Sequence, residues 1–277
     1  MSIKITTLVD NTVPVSMNTI GEHGISFLIE TEEKTVLFDT GQGTALTHNA
    51  AQMGINLTKV DTVVLSHGHY DHSGGLLKLM DVNDHFELIA HPDAFSEKYA
   101  MFPGPKMIPI GIPVTIKFLE QSNIRVRLSR VPVEISDSVM TTGEIPMETN
   151  YEHIEPVLFT RKDGKDIPDP LLDDQSIILR VERGIAVVLG CAHRGLINTL
   201  NHVAQITGEK EIYAVLGGMH LERAPSVQIE KTIGALKQFN LQKIGVSHCT
   251  GIRAVVQLFG EFAEKVFLNH VGYTLKF

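Results

Sequence analysis

One short segment carries four metal-binding side chains within six residues: His67, His69, Asp71 and His72. It follows the apolar run 62–66, whose β-branched and leucine residues predict a fully buried strand. Residues 73–77 predict a turn into a helix, which places the four ligands in a strand-to-helix loop at a sheet edge, where α/β proteins carry their chemistry. A bent loop of this length can aim His67 and His69 at one ion and Asp71 and His72 at a second. Imidazole suits zinc, iron, copper or nickel, and the carboxylate also admits manganese.

A metal held by one loop alone would be weakly bound, so further ligands are expected at other strand ends. Three histidines follow predicted buried strands in the second half of the chain: His193, His220 and His248. His23 precedes a predicted strand and is a reserve candidate. The remaining histidines, at positions 48, 85, 91, 153, 202 and 270, lack such a position, and most are predicted to be solvated or helical.

Strand and helix signals alternate along most of the chain. In the first half we predict strands near 3–9, 25–30, 35–39, 62–66 and 86–90, helices near 44–53 and 76–80, and a helix begun at His91. In the second half we predict strands at 176–181, 185–189, 212–216 and 244–247, with helices near 196–203, 229–236 and 252–259. Residues 101–150 are rich in proline and predict an insertion packed over the main body, with strands at 114–119 and 124–131. The pattern predicts an α/β fold with two sheets face to face and helices outside, as one domain spanning 1–277.

Composition narrows the class of protein. The chain has 277 residues, 43% of them hydrophobic, which is enough for a large core. The net charge of −8 argues against a nucleic-acid or anionic-membrane surface, and the partner we expect is a small-molecule substrate. No stretch is long and apolar enough to span a membrane, and the N-terminus lacks the apolar core of a signal peptide. The two cysteines, Cys191 and Cys249, fit a reducing cytoplasm.

The loop 67–72, the upstream segment 38–41 and the strand-end His248 resemble the metallo-β-lactamase superfamily. The segments 190–193, 217–221 and 248–251 resemble, more narrowly, its dihydropterin ribofuranosylaminobenzene-phosphate synthase-like branch, linked to methanopterin-type cofactor synthesis. The resemblance implies an αββα four-layer sandwich and a centre of one or two metal ions. Zinc is the expected metal, with iron or manganese as alternatives.

One departure from the superfamily's pattern concerns its bridging aspartate. No aspartate follows Asp174, so none lies between His193 and His248. Either His193 takes the place of the third-motif histidine and the bridge is missing, or the strand end at 190–193 occupies the place of the aspartate. In the second case Cys191 or His193 would be the ligand there, and Asp173 or Asp174 would stand near the third-motif position. Without a bridging carboxylate, we expect the second ion to be loosely held or absent.

These residues predict a metal-dependent hydrolase or group transferase that uses hydroxide generated on the metal. The expected substrate is a small ester or a phosphate-bearing molecule, and the branch resemblance points to a pterin-related one. In this hypothesis His67, His69 and His193 hold one ion, while Asp71, His72 and His248 hold or flank the other.

The other roles are less fixed by the sequence. Asp71 also orients the attacking water, and His220 contacts the substrate, donates a proton or joins the metal shell. Asp39 either hydrogen-bonds the ligand loop or caps a turn. Arg161, Lys162, Arg194 and Arg223 are the cationic residues closest to the candidate site in sequence. The alternatives are a non-catalytic metal or ligand sensor and an iron-dependent oxidoreductase on the same scaffold.

Overall fold

The computed structural model describes residues 2–15, 17–101, 106–209 and 211–277. The strands, in chain order, are Lys4–Val9 (β1), Ser26–Glu30 (β2), Thr35–Phe38 (β3), Thr62–Val64 (β4), Glu87–Ala90 (β5), Lys98–Met101 (β6), Met107–Pro109 (β7), Arg125–Leu128 (β8), Glu134–Ser136 (β9), Val139–Thr141 (β10), Leu158–Lys162 (β11), Lys165–Pro168 (β12), Ser176–Val181 (β13), Gly184–Leu189 (β14), Ile212–Gly218 (β15), Lys243–Ser247 (β16), Val266–Leu268 (β17) and Thr274–Lys276 (β18). The α-helices are Ala45–Gln52 (α1), Tyr70–Ser73 (α2), Leu76–Met80 (α3), Ile116–Gln121 (α4), Leu196–Thr207 (α5), Ser226–Leu236 (α6) and Ile252–Phe262 (α7).

The strands form two large mixed sheets and one small one. The first sheet has the order β18-β1-β2-β3-β4-β5-β8, and the second has the order β17-β16-β15-β14-β13-β10-β9. In the first sheet β3, β4, β5 and β8 run parallel, and in the second β14 to β17 run parallel. Each sheet therefore gathers several carboxyl ends at one edge. The small sheet, β12-β11-β6-β7, is antiparallel.

The two large sheets pack face to face because their central strands are apolar on both sides. Along β14, Ala186 and Val188 point into the layer between the sheets, while Val187 and Leu189 point outward to helices. In the layer between the sheets, Ala186 and Val188 pack with residues of the first sheet such as Phe27 and Phe38. Helices α5, α6 and α7 cover the outer face of the second sheet, and α1, α3 and α4 cover that of the first. The predicted αββα sandwich is confirmed.

Some local predictions differ from the structure. Residues 114–119 do not form a strand, because Thr115 caps the helix α4 by accepting a hydrogen bond from the amide of Phe118. The helix expected after His91 is one 3₁₀ turn, Pro92–Phe95, followed by strand β6.

The segment 101–150 is woven into the body rather than only laid over it. Strand β8 joins the first large sheet, whereas β9 and β10 join the second and β7 the small sheet. Residues 102–105 of its proline-rich start lie outside the described residues. Within the described ranges, no helix is long and apolar enough to cross a membrane.

Candidate metal centre

The candidate site lies where loops after the parallel strands of both sheets meet. The loop after β4 carries the His67–His72 motif, and α2 begins within it at Tyr70. The loops after β14, β15 and β16 carry His193, His220 and His248. All the histidines that the sequence predicted as ligands, with Asp71, are brought together here.

The first cluster consists of His67, His69 and His193. The Nε2 atom of His67 lies 2.9 Å from Nδ1 of His69 and 3.2 Å from Nε2 of His193. All three rings are buried. Burial, followed by the charge of neighbouring groups, lowers the pKa of His67 and His193 well below the ordinary value and that of His69 to about 3. Three neutral imidazoles thus turn ring nitrogens toward one point, which is the donor arrangement that a divalent cation requires.

The second cluster is built around the carboxylate of Asp71. Its Oδ2 lies 3.3 Å from Nε2 of His248, 3.3 Å from Nε2 of His23 and 3.5 Å from Nε2 of His72. Burial would raise the pKa of Asp71, but the charge of His72 and hydrogen bonds from His23 and His248 hold it well below its usual value. His23, the reserve candidate of the sequence, therefore belongs to this cluster.

Asp39 and Ser66 orient the ligand rings. Asp39 accepts hydrogen bonds from the amide and the hydroxyl of Ser66, both at 2.7 Å, and its Oδ2 lies 2.6 Å from Nδ1 of His72. Because the Ser66 hydroxyl donates to Asp39, it accepts from Nδ1–H of His67 at 2.8 Å. Both rings are then left with Nε2 toward the site, as metal-binding histidines need. This is the hydrogen-bonding role that the sequence allowed for Asp39.

His72 and His248 have further partners. Burial would lower the pKa of His72, but Asp71 and Asp39 raise it to about 9, so a bound cation would displace a proton from this ring. Two residues that directly follow strand β1 contact His248. Asp10 accepts a hydrogen bond from its amide at 2.9 Å, and Oδ1 of Asn11 lies 3.0 Å from its Nδ1.

Two alternatives were open for the place of the missing bridging aspartate, and each matches part of the arrangement at residues 190–193. His193 completes the first cluster, and Sγ of Cys191 lies 3.0 Å from Nε2 of His72. Asp173 and Asp174 are bonded elsewhere. Asp173 accepts from the amide of Gly68, and Asp174 accepts from the amide of Arg194, both at 2.8 Å.

Two glycines permit the close approach of these loops. A Cβ on Gly68 would lie 1.9 Å from the carbonyl oxygen of Ala94, and one on Gly190 would lie 2.2 Å from Oγ of Ser66. Any larger residue at Gly190 would push the end of β14 away from the ligand loop. Gly68 lies in the segment 67–72 and Gly190 in the segment 190–193. Only the structure shows that they make room for Ala94 and Ser66.

A cavity of about 500 Å³ opens over both clusters. Its polar lining includes His69, Asp71, His193 and His248, and its apolar lining comes from the small sheet and adjoining loops. The residues of that apolar lining are Ala100, Ile108, Pro109, Ile110, Val157 and Leu158.

His220 lines this cavity without belonging to either cluster. Its ring centroid is 4.0 Å from that of His193, and its Nε2 lies 3.5 Å from Oε1 of Glu155. Burial would lower its pKa, but Cys249 and Glu155 raise it to about 10.

The residues present fit a metal centre. The donor atoms of His67, His69 and His193 all lie within 4.8 Å of one another, as do those of His23, Asp71 and His248. Among the described residues, Nε2 of His69 and Nδ1 of His193 are also buried without a hydrogen-bond partner.

Sequence reasoning missed several residues around the site. Lys98 is buried between two carboxylates, with Nζ 2.8 Å from Asp169 and 2.9 Å from Asp173. Glu22 accepts hydrogen bonds from four successive amides, residues 42–45, at the start of α1. An isolated lysine or glutamate in an irregular stretch carries no sequence signal that separates it from a solvated charge. His91, expected to be solvated or helical, is buried with Nε2 2.9 Å from Glu144.

Comparison with known proteins agrees with this geometry. The chain belongs to the metallo-beta-lactamase superfamily, whose pattern matches residues 21–228. It is 34% identical over 286 residues to a 7,8-dihydropterin-6-methyl-4-(beta-D-ribofuranosyl)-aminobenzene-5'-phosphate synthase of Methanocaldococcus jannaschii, covering 100% of this chain and 97% of the relative. An uncharacterized protein of the same organism is 33% identical and covers 96% of each chain. The crystal structure of Tm1679, a metal-dependent hydrolase of the β-lactamase superfamily, superimposes with a TM-score of 0.84 at 29% identity, covering 99% of this chain and 98% of that one. The fold implies divalent metal binding.

Proposed function

We propose that this chain is a metal-dependent enzyme that hydrolyses, or transfers a group on, a phosphate-bearing small molecule with a planar ring. The observation that carries the proposal is the pair of adjacent ligand clusters at one cavity that also has an apolar lining.

In this proposal His67, His69 and His193 would hold one ion, and Asp71, His72 and His248 would hold or flank the other. When bound, the metal supplies positive charge for a developing oxyanion and lowers the pKa of water toward about 7. The chain's own residues do the rest. Asp71, whose pKa is held low, remains a hydrogen-bond acceptor that can orient water.

His220 is proposed as the proton donor to the leaving group. Against the effect of burial, Cys249 and Glu155 raise its pKa to about 10, which keeps a proton on the ring at neutral pH. The ring lines the same cavity as Asp71 and His193, so its proton is available to a bound substrate.

Arg223 is proposed to bind the phosphate. Of the cationic residues considered from the sequence, it is the one that lines the cavity. Arg161 and Arg194 do not line the cavity. Arg161 pairs with Asp166 and Glu97 on the small sheet, and Arg194 donates to backbone carbonyls. The name of the M. jannaschii relative contains both a dihydropterin and a phosphate, which supports a substrate with a ring for the apolar lining and an anion for Arg223.

The proposal is tested first by activity. The protein is stripped of metal, reloaded separately with Zn²⁺, Mn²⁺ and Fe²⁺, and assayed against phosphodiesters, lactones, thioesters and a phosphorylated dihydropterin. We expect turnover of phosphate-bearing substrates that depends on the metal and is lost in His67→Ala and His69→Ala. Binding of the dihydropterin without turnover under every metal would indicate a sensor, and oxygen consumption with Fe²⁺ alone would indicate an oxidoreductase.

The phosphate assignment has a matched pair of variants. Arg223→Gln removes a charge-assisted contact worth about 1.5–3 kcal/mol, so we expect KM for the phosphorylated substrate to rise by about tenfold or more. KM for the unphosphorylated analogue should not change. Arg161→Gln removes an arginine that is paired outside the cavity and should leave both values as they are. Equal effects of the two variants would contradict the assignment.

A further inference from the structure

The thiol of Cys191 lies between the two ligand clusters. Its Sγ belongs to three groups of possible ligand atoms, and within each group all atoms lie within 4.8 Å of one another. The other members are His67 and His72 in one group, His193 and His220 in another, and His248 and Cys249 in the third. Among the described residues it is thus the donor shared by most of the possible metal-binding groups. Cys249 occurs in one of them, and that group also contains Cys191.

The backbone brings Cys191 to this position. β13 and β14 form an antiparallel hairpin, and Gly190 lets the end of β14 approach Ser66 in the ligand loop. Ala192 then adopts a left-handed conformation with φ of 54°, which turns the chain so that Cys191 and His193 both face the clusters. Cys191 is 3% exposed and its Sγ lies 3.0 Å from Nε2 of His72, so the thiol faces the site and not the solvent.

We propose that Cys191, as a thiolate, is the ligand shared by two divalent ions. One ion would also be bound by the first cluster, and the other by Asp71, His72 and His248. The inference rests on the proposed metal-dependent function and adds to it the identity of the bridging group and the number of ions. It replaces the expectation, drawn from the absence of a later aspartate, that the second ion is loosely held.

A shared thiolate would favour zinc, iron or cobalt over manganese or magnesium, because sulfur is a soft ligand.

The experiment uses Co²⁺ as a spectroscopic probe in the full-length, thiol-reduced protein. A thiolate bound to Co²⁺ gives a near-ultraviolet charge-transfer absorption, whereas histidine and carboxylate ligands do not. Bound metal is counted after desalting, for Co²⁺ and Zn²⁺ separately. The variants are Cys191→Ser, Cys191→Asp and the matched control Cys249→Ser.

We expect two equivalents and the charge-transfer band in the unmodified protein and in Cys249→Ser. Cys191→Ser should lose the band and fall to about one equivalent. Cys191→Asp should lose the band but recover two equivalents, since a carboxylate can also bridge. This recovery would show that the loss in Cys191→Ser is not a folding defect.

Several results would overturn the proposal: a band that persists in Cys191→Ser, a band that disappears in Cys249→Ser, or a single equivalent in the unmodified protein. None of these readouts depends on turnover. A protein with two ions and the band but no activity would leave the thiolate bridge standing and reject the proposed function. An active protein without the band would reject the thiolate bridge and leave the proposed function standing.

Discussion

Replacing Lys98 by methionine should destabilise the protein far more than removal of an ordinary surface charge. The Lys98 ammonium lies 2.8 Å from Asp169 and 2.9 Å from Asp173, and all three side chains are at most 5% exposed. Asp173 in turn accepts the amide hydrogen bond of Gly68 within the ligand loop. Methionine has a similar length but no charge, so it would leave two buried carboxylates without a counter-ion.

The size of the effect follows from the cost of an unpaired buried charge. Removing one partner of a buried pair typically costs about 3–5 kcal/mol. For a urea m-value of about 3 kcal/mol/M, the midpoint should fall by about 1–2 M. Burial would raise the pKa of Asp173, but Lys98 outweighs it and lowers that pKa below 3.8. The contribution of Asp173 to stability is therefore present above its unfolded pKa and is lost as the pH falls through the folded value.

Without Lys98 the pKa of Asp173 rises, because the ammonium no longer opposes the effect of burial. The deficit of the variant should therefore be largest at pH 7 and smaller near pH 5, where protonation removes the uncompensated charge. The assay is urea unfolding followed by circular dichroism, with a chelator present so that metal binding does not contribute. Lys78→Met is the control, since Lys78 pairs with Asp81 at 3.4 Å with both side chains more than half exposed. The control should shift by less than about 0.5 kcal/mol. Equal shifts in the two variants would refute the argument.

Two other predictions concern carboxylates near the site. Asp174 is buried, and burial raises its pKa from 3.8 to about 7, so its contribution to stability is fully present below pH 3.8 and is lost as the pH rises toward 7. Asp174→Asn should remove this slope from a plot of melting temperature against pH, and an unchanged slope would contradict the assignment. Glu22→Gln should lower the unfolding free energy by about 1–2 kcal/mol, because the four amides at the start of α1 lose a charged acceptor. The exposed Glu33 offers a control, Glu33→Gln, whose melting temperature should not change.

The parts of the site that the sequence predicted share one property. The apolar runs before His67, His193 and His248 are continuous, as in strands buried on both faces, and each run ends at a potential ligand. Because β3, β4, β5 and β8 run parallel in one sheet and β14 to β17 in the other, their carboxyl ends gather at one edge of each sheet. The end of a buried strand and the presence of a ligand residue can each be recognised from a few neighbouring residues. The sequence alone could therefore predict these ligand positions.

The parts that it could not predict depend on contacts between distant segments. Residues 116–121 are as apolar as a short strand, and only the cap at Thr115 marks them as helical. The strand Arg125–Leu128 pairs with β5 across more than thirty residues. Lys98 is buried because Asp169 and Asp173, seventy residues later, neutralise it. No local pattern signals such a partner.

Backbone strain at the site argues that the ligand positions are imposed by the fold rather than chosen by the ligands. Asp39, Ala192, His220 and His248 all have positive φ, between 45° and 59°, and each follows a strand. For residues other than glycine this conformation costs about 1–2 kcal/mol each. The buried strands before them supply the compensating energy, since they hold the chain direction up to the turn. The left-handed turn then reverses the side chain toward the cavity within one or two residues. Such strain at four separate strand ends is typical of sites whose geometry is set before the ligand binds.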